Sequence, residues 1–385
     1  MIAIIGGSIA VYTAYKTIKK IDRKAEVKIF SDELQKPYSK MLLPYMVKEN
    51  IKSDAFFDIP DKDIILNTKV LAIDSKQRVF FTSTKKMFYF SKLLIATGAT
   101  PKVVHFSGEF DKEKIITIRK LKDIEVIRNL IKLNRLKSVT IVGGGLVGIE
   151  MADALIKHGV VVNLVVSSNR LLSSILSKTA SDWLEKHILC NIEGLNIFKE
   201  NEVEIVEDKN NRLFIKLKDN TDLESDLIVV AKGVKPNTEL VDDAIKTNEG
   251  IVVDDYLMTT ADGIFAAGDV VESYDLIEQK PTLHAIWPVA IAQAEIAAKN
   301  IMGKQIRYQP EISRNIVPVF GINIFSAGKT TDESLLAKTY SIGNFTQMFV
   351  DNNNKICGIT AIDTNIDVAH YLNRIKSDWE TVYEY

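Results

Sequence analysis

The chain has little cysteine. Only Cys190 and Cys357 occur among 385 residues, and no C-x-x-C spacing or histidine-rich neighbourhood accompanies them. Disulfide frameworks and zinc sites need clustered cysteines or histidines, so the sequence predicts no metal site and fits a reducing cytoplasm. We interpret both cysteines as small buried apolar side chains, Cys190 in an amphipathic helix formed by WLEKHILC and Cys357 in a strand.

The chain also lacks a strong net charge and a long apolar run. Its formal net charge of -1 at pH 7 argues against binding nucleic acid or an anionic membrane through bulk charge. No run of about 18 apolar residues occurs, and the apolar start MIAIIGG is too short for a secretory signal. We therefore expect no nucleic-acid partner, no membrane association and a cytoplasmic location.

What the chain does contain is enough apolar sequence for several cores. A hydrophobic content of 46% over 385 residues predicts two or three domains. A strand, a glycine turn and a helix occur twice, first from IAIIGG to EVKIF and again from SVTIVGGG to VVVNLVV, with Gly159 as a helix stop. These βαβ units predict an α/β fold with two Rossmann-like, three-layer domains.

Shorter strand patterns follow each βαβ unit. They are VLAID, RVFFTS, MFYF and KLLIAT after the first, and NEVEIV, RLFIKL and LIVVA after the second. From Glu311 the pattern changes to the strands IVPVFGINIFSAG, TQMFVD and KICGITAID, with a final helix near Val368 to Ile375. We expect this last part to form a small α+β domain.

The second glycine turn has the complete dinucleotide-binding pattern. Gly143, Gly145 and Gly148 occupy the three required positions in VGGGLVGIE, after a β-branched strand and before an amphipathic helix. The first glycine makes the tight turn, the second lets a pyrophosphate approach the backbone, and the third lets helix and strand touch. This turn predicts a dinucleotide site.

The first glycine turn is incomplete. In IIGGSIAVYTAY the same positions are Gly6, Ser8 and Val11. Ser8 places a Cβ where a pyrophosphate should approach, and Val11 adds bulk where helix and strand should touch. By itself this turn leaves dinucleotide binding and a purely structural role open.

Two later turns favour binding. LLIATGATP and GIFAAGDVV each end a strand in small residues, and Asp269 in the second can accept from ribityl hydroxyls. With PYSKMLLPY, AKGVKPNTEL, IWPVAIAQAEIAAKNIMG and FGINIFSAGK in this order, nearly the whole chain resembles the FAD-dependent pyridine nucleotide-disulfide oxidoreductase superfamily. It is most similar to the branch of NADH:rubredoxin reductases and nitrite reductase flavin domains.

The resemblance implies a domain plan and a FAD site. Residues 1–105 and 236–303 would form the FAD domain, 106–235 the NAD(P)H domain and 304–385 the small C-terminal domain. Asp32 or Glu33 would bind the adenosine ribose, and Lys40 would lie near the pyrophosphate, unless it is a solvated lysine. The implied FAD-binding residues are Gly6, Ser8, Ile9, Ala10, Asp32, Glu33, Lys40, Val70, Ala96, Thr97, Gly98, Gly268, Asp269, Trp287 and Pro288. Trp287 and Pro288 would open a helix that points toward the flavin, although Trp287 fits the core equally well.

The resemblance also implies the coenzyme site. Its residues would be Gly143, Gly145, Leu146, Val147, Gly148, Ser167, Arg170 and Gly233. NAD-specific sites usually have an acid at the end of the second strand, whereas Val166, Ser167 and Ser168 stand there in this chain. Arg170 could favour a 2′-phosphate but matches a generic family arginine, so we expect weak discrimination between NADH and NADPH.

The thiol-dependent members of the superfamily carry a redox cysteine where this chain has PYSKMLLPY. No cysteine occurs there, so electrons on the flavin must leave for an external acceptor. Reductases of iron-sulfur proteins often have a lysine in place of Tyr45, paired with the glutamate that corresponds to Glu150. We interpret Tyr45 and Glu150 as catalytic-site neighbours of flavin N5, against the alternative of a core tyrosine and a surface glutamate.

The predicted function is that of a FAD-dependent NAD(P)H oxidoreductase that reduces a small iron-sulfur carrier, rubredoxin or ferredoxin. An oxidase that reduces dioxygen is the alternative within the enzyme class, and a flavin-bound sensor or interaction module is the alternative outside it. The basic stretch YKTIKKIDRK either docks an acidic carrier or is a solvated helix face.

Overall fold

The protein is described here from a computed structural model, which covers residues 1–48, 55–342, 344–364 and 366–380. The chain divides into two compact units. The first unit comprises Met1–Met41, Lys52–Thr100 and Lys235–Ser313, and the second comprises Leu42–Ile51, Pro101–Val234 and Arg314–Tyr385. The C-terminal stretch therefore shares a unit with residues 101–234, while the cofactor assigned to each stretch stays a prediction.

The described residues form helices and strands throughout both units. The helices are α1 (Ile9–Ile21), α2 (Leu43–Lys48), α3 (Leu121–Lys132), α4 (Leu146–Ile156), α5 (Lys178–His187), α6 (Trp287–Ile301) and α7 (Val368–Glu380). The strands up to residue 117 are β1 (Ile2–Ile5), β2 (Val27–Phe30), β3 (Ile64–Ile65), β4 (Val70–Asp74), β5 (Val79–Thr82), β6 (Met87–Tyr89), β7 (Lys92–Ile95), β8 (Ala99–Pro101) and β9 (Ile115–Thr117). The next are β10 (Ser138–Val142), β11 (Val161–Val166), β12 (Leu195–Lys199), β13 (Val203–Lys209), β14 (Arg212–Leu217), β15 (Asp222–Ser225), β16 (Leu227–Val230) and β17 (Val234–Pro236). The last are β18 (Ile251–Val252), β19 (Ile264–Ala266), β20 (Val271–Asp275), β21 (Lys280–Leu283), β22 (Arg314–Val319), β23 (Ile322–Gly328), β24 (Leu336–Ile342), β25 (Asn344–Val350) and β26 (Ile356–Ile362).

A parallel sheet in the order β19-β7-β1-β2-β3 organises the first unit. Its strands are apolar because both faces of such a sheet are covered. On one face α1 and α6 pack together, and the core there includes Ile4, Val11, Leu94 and Ala298. The chain leaves β1 toward β2 on one side and β7 lies on the other, so the first glycine turn sits where the strand order reverses.

A second parallel sheet in the order β12-β11-β10-β16-β9 organises the second unit. All five residues of β10 are buried. Helix α4 ends before Gly159, which has a left-handed φ of +71° and confirms the expected helix stop. The predicted α/β fold with two Rossmann-like sheets is thus confirmed.

The C-terminal part of the second unit is an antiparallel sheet in the order β22-β23-β26-β25-β24, with α7 packed on β26. It is tied to the loop that follows β11. The hydroxyls of Ser326 and Thr330 each donate to Ile175 O at 2.8 Å, and Ser177 Oγ donates to Gln347 Oε1 at 2.6 Å. These bonds fix the sheet against that loop.

Two expectations from the sequence are wrong in detail. Helix α5 ends at His187, and Cys190 lies in a short 3-10 turn where its side chain is exposed rather than buried. Strand β24 was missed, because it is the edge strand of its sheet and its sequence LAKTYSI has a weak apolar pattern. Cys357 is buried in β26, as expected.

Among the described residues, no helix has the length and apolarity needed to cross a bilayer. Within the same ranges, no cluster of three or more His, Cys, Asp or Glu side chains is arranged to hold a metal ion.

Candidate functional site

The first glycine turn is closed by contact with strand β7. Gly6 has a φ of +143°, and a Cβ on it would lie 2.1 Å from Ala96 O, so only glycine fits. Ser8 is the N-cap of α1, but its hydroxyl donates to Tyr38 O at 3.2 Å and not to the helix backbone. The first N–H groups of α1, beginning with Ile9 and Ala10, are therefore not capped by Ser8, which suits binding of an anion.

Val11 is accommodated without disrupting the helix. Its side chain is fully buried in the core with Ile4 and Ala96. Its Cγ2 atom would lie 3.0 Å from a Cβ on Gly6, so the valine occupies space that a glycine at this position leaves empty. The helix and the strand pack around this side chain. A buried apolar residue therefore takes the place of the glycine that the pattern would have here.

An acidic side chain and a lysine meet beside this turn. Glu33 is 4% exposed, and Lys40 Nζ lies 2.8 Å from its Oε1, while Tyr38 OH lies 3.4 Å from its Oε2. A Cβ on Gly7 would lie 3.4 Å from Glu33 Cγ, whereas Asp32 is exposed. Glu33 is the one of the two acids that faces the turn. With a side chain only 18% exposed, Lys40 is not a freely solvated lysine.

The same stretch contains a buried hydroxyl that lacks a partner. Ser39 Oγ is buried and makes no hydrogen bond to the protein. Buried polar groups nearly always have partners, so an unsatisfied hydroxyl beside a lysine and a helix N-terminus fits a polar ligand. Ser8, Glu33, Ser39 and Lys40 together fit the pyrophosphate and ribose of FAD, and FAD would supply hydride acceptance there.

The Ala-Thr-Gly turn after β7 is held by Asn237. The Asn237 amide donates to Thr97 O at 2.9 Å, Thr97 Oγ1 donates to Asn237 O at 3.0 Å, and Asn237 N donates to Gly98 O at 2.9 Å. Gly98 has a left-handed φ of +64°. Asn237 belongs to the stretch AKGVKPNTEL, but nothing in the local sequence indicates that it holds a turn 140 positions away.

A buried glutamine supports the Gly-Asp turn after β19. Gln293 Oε1 accepts from Gly268 N at 2.8 Å, and its amide donates to Ser273 Oγ at 3.0 Å. This holds Gly268, at a φ of +84°, beside Asp269. The sequence gave no signal for Gln293, because a polar residue within a helix does not by itself indicate which distant turn it contacts.

The remaining predicted FAD residues differ in exposure. Trp287 begins α6, with Pro288 in the first turn, and is 38% exposed, so it is not a core residue. The N-cap Ile286 provides no side-chain acceptor, which leaves the helix N-terminus uncapped by its side chain. Val70 is buried in β4, and a cofactor contact there would be made by its backbone.

The second glycine turn is closed at its first and third glycines and open at its second. A Cβ on Gly143, at a φ of +124°, would lie 2.3 Å from Ala231 O, and a Cβ on Gly148 would lie 1.9 Å from Gly143 O. A Cβ on Gly145 would meet nothing within 4 Å. The backbone is thus open at the N-cap of α4, where Leu146 and Val147 begin the helix and a pyrophosphate is expected.

The loop after β11 lies against this turn. Leu172 N donates to Gly144 O at 2.8 Å, which brings Arg170 near the turn. Lys232 Nζ donates to the exposed Ser167 Oγ at 2.8 Å, and Gly233, at a φ of +84°, accepts from Lys102 N at 3.0 Å. The sequence-predicted coenzyme residues are therefore neighbours in the second unit.

Tyr45 and Glu150 are in contact within the second unit. Helix α2 packs on α3 and α4, and Tyr45 OH donates to Glu150 Oε1 at 3.1 Å. Burial, and then the negative charge of Glu150, raises the pKa of Tyr45 above its ordinary value. The phenol keeps its proton and orients the carboxylate, so it is suited to positioning rather than to proton transfer. Proximity of this pair to a flavin stays a prediction.

A similar pair joins Tyr15 of α1 to Asp63. Tyr15 OH donates to Asp63 Oδ2 at 2.7 Å, and burial followed by this hydrogen bond raises the pKa of Tyr15. Beyond it, Lys16, Lys20 and Lys24 of the basic stretch are exposed. Their exposure fits both a solvated face and a docking face.

Comparison with known proteins identifies similar sequences and a similar fold. The chain is 27% identical over 346 residues to the NAD(P)H sulfur oxidoreductase (CoA-dependent) of Pyrococcus abyssi, covering 87% of this chain and 76% of that protein. It is 28% identical over 342 residues to the NADH oxidase of Methanocaldococcus jannaschii, covering 85% and 75%. A covalent putidaredoxin reductase-putidaredoxin complex has a similar fold, with a TM-score of 0.88, 19% identity and coverage of 98% and 93%.

The relatives are NAD(P)H oxidoreductases, and the two glycine turns fit a flavin cofactor and a pyridine nucleotide. The chain is accordingly an NAD(P)H-dependent flavin oxidoreductase. Residues 1–294 match the family described as pyridine nucleotide-disulphide oxidoreductase, and the chain belongs to that family.

Proposed function

We propose that this protein takes hydride from NAD(P)H onto FAD and passes the electrons one at a time to a small iron-sulfur carrier such as rubredoxin or ferredoxin, in the cytoplasm. The observation that carries the proposal is the absence of a thiol from the stretch 37–45, where thiol-dependent members of the family have their redox cysteine. Without a second redox centre, reduced flavin must deliver electrons directly to an external acceptor.

The two cysteines of the chain are poorly suited to replace that thiol. Burial raises the pKa of Cys357 to about 11, so its reactive thiolate is scarce at neutral pH. Cys190 is exposed in the turn that follows α5, and its Sγ contacts Lys186 O at 2.9 Å. Neither belongs to the residues that surround the two glycine turns.

Each predicted binding residue has a task in this proposal. Lys40 and the N-terminus of α1 would hold the FAD pyrophosphate, Glu33 the adenosine ribose, and Asp269 the ribityl chain. The open N-cap at Gly145 would take the coenzyme pyrophosphate. Tyr45 and Glu150 would set the position of the nicotinamide against the flavin, because proximity and orientation are the main contribution that the protein makes to hydride transfer.

Reduction of dioxygen is the second candidate, and the similarity to a NADH oxidase favours it. A flavin-bound sensor without turnover is disfavoured by the complete second glycine turn, which a sensor of the flavin state would not need.

The test is anaerobic titration of the FAD-loaded protein with NADH, followed by addition of rubredoxin, ferredoxin or oxygen. We expect about two electrons per FAD, fast transfer to an iron-sulfur carrier and slower loss to oxygen. A Cys190→Ser/Cys357→Ala variant should behave like the natural protein. Uptake of about four electrons per FAD, or loss of carrier reduction in the double variant, would return the protein to the thiol-dependent group.

A further inference from the structure

Positively charged side chains lie near the end of β11, at the proposed coenzyme site. No acidic residue follows the strand directly. Ser167 and Ser168 follow the strand, and the nearby cations are Arg170 and Lys232. Two such cations would attract the 2′-phosphate of NADPH. On these residues alone the site would lean toward NADPH or discriminate weakly.

The C-terminal sheet brings a carboxylate to this place. Glu333 Oε1 lies 3.3 Å from Arg170 Nη1. The Glu333 side chain is 78% exposed, whereas that of Arg170 is 17% exposed and its Nε is buried with no hydrogen-bond partner. The carboxylate thus sits on the accessible end of an otherwise enclosed guanidinium.

The loop that carries Glu333 is held on both sides. Asp332 Oδ1 accepts from Ser334 N at 2.8 Å and from Ser334 Oγ at 2.6 Å, and Lys329 Nζ lies 2.9 Å from Asp332 Oδ2. Upstream, Thr330 Oγ1 bonds Ile175 O in the loop after β11. Because these bonds anchor the two loops to each other, they hold the backbone at Glu333 within reach of Arg170.

We propose that Glu333 is a specificity-determining residue that makes the protein prefer NADH. Its carboxylate would accept from the ribose 2′-hydroxyl and would neutralise Arg170, while repelling a 2′-phosphate of charge near −2. The acid that other sites carry at the end of their second strand is supplied here from the C-terminal sheet. The inference rests on the proposed binding of the coenzyme at the second glycine turn.

The experiment measures binding of two coenzyme fragments, ADP-ribose and 2′-phospho-ADP-ribose, by calorimetry on the FAD-loaded protein. The proteins are the natural chain, Glu333→Gln, and Glu193→Gln as a control with the same charge change at an exposed glutamate of the same unit. We expect Glu333→Gln to bind the 2′-phosphorylated fragment about tenfold more tightly, with a change of less than about threefold for ADP-ribose. The ratio of kcat/KM for NADPH to that for NADH should rise by a similar factor.

A second variant identifies the group that binds the 2′-phosphate more tightly once Glu333 is replaced. In Arg170→Ala/Glu333→Gln the improvement should vanish, because no guanidinium is left to pair with the phosphate. An unchanged fragment ratio in Glu333→Gln, while both fragments still bind, overturns the role of Glu333 and leaves the coenzyme site standing. Failure of the natural protein to bind either fragment overturns both.

Discussion

The two glycine turns begin with the same strand-turn-helix pattern and differ at their third position. In the first, Val11 is fully buried between helix and strand. In the second, a Cβ on Gly148 would collide with Gly143 O. The comparison shows that the third glycine is a packing device, which core side chains can replace, whereas the uncapped helix N-terminus shared by both turns is what suits an anion.

The second position differs as well. Ser8 bonds the backbone of Tyr38, and this stretch brings Ser39 and Lys40 to the first turn. Gly145 has open space around it, and the cations near its turn, Arg170 and Lys232, lie in two separate loops. The first turn therefore resembles a site closed around a resident cofactor, and the second a site open to a coenzyme that must exchange.

Replacing Gly148 by alanine is the strongest test of this contrast. The added Cβ meets backbone that no rotamer change can move, so we expect a loss of about 3 kcal/mol or more in the free energy of unfolding of the second unit. Reduction of the flavin by NADH should fall with it, while FAD content is retained. Thermal unfolding and stopped-flow absorbance measure these effects.

The control is Gly145→Ala, in which the new Cβ has no neighbour within 4 Å, so stability should be nearly unchanged. Equal stability of the two variants would refute the contrast.

Shortening Val11 should have a smaller effect on the other turn. Val11→Ala removes two buried methyl groups, and we expect a loss of about 2 kcal/mol with FAD still bound. Urea unfolding and flavin absorbance per chain are the measurements. Val126→Ala, at an exposed position of α3, is the matched control and should cost far less. A Val11→Ala protein that purifies without FAD would show that the valine serves the cofactor rather than the core.

Removing the hydrogen bonds that Tyr15 of α1 and Tyr45 of α2 make to carboxylates should have the smallest effect on stability. Tyr15→Phe and Tyr45→Phe each remove one hydrogen bond, worth about 1 kcal/mol at neutral pH. The folded protein favours the protonated phenols, so their contribution is complete below about pH 10 and is lost as the pH rises through their elevated pKa values. Stability of the natural protein should consequently fall more steeply above pH 10 than that of either variant.

Absorbance titration of the phenolates provides the check. Tyr89 is well exposed, and the control Tyr89→Phe should leave the alkaline loss of stability unchanged. If Tyr15 and Tyr45 ionise near pH 10, the ordinary range of tyrosine, then burial and the neighbouring carboxylates do not raise their pKa values.

The sequence predicted the parts of the site that depend on local geometry. The spacing of Gly143, Gly145 and Gly148 follows from what a strand-turn-helix connection requires, and the apolar runs that flank it mark strands buried on both faces. Contacts between distant residues have no such local signal. Asn237 bonds Thr97 across 140 positions, and Gln293 reaches Gly268 from inside a helix.

The sequence also could not predict in which direction side chains point at the ends of strands and helices. Asp32 and Glu33 both follow β2, and only the fold shows that Glu33 turns inward to Lys40. Cys190 was placed in a buried helix because its segment is amphipathic, but α5 stops at His187 and leaves the thiol in a turn. Helix ends set by caps and tertiary packing are the least predictable feature of such patterns.

The discontinuous units have a consequence for how the protein is made. Strand β7 is complete once residue 95 has been added to the chain. The edge strand that pairs with it, β19, begins only at residue 264. The carbonyl of Ile175 likewise lacks its partners until Ser326 and Thr330 are made, 151 and 155 positions later. Until these later residues emerge, a nascent chain on the ribosome carries an unpaired sheet edge and an incomplete second unit. Pairing of that exposed edge with another chain is a hazard during this interval.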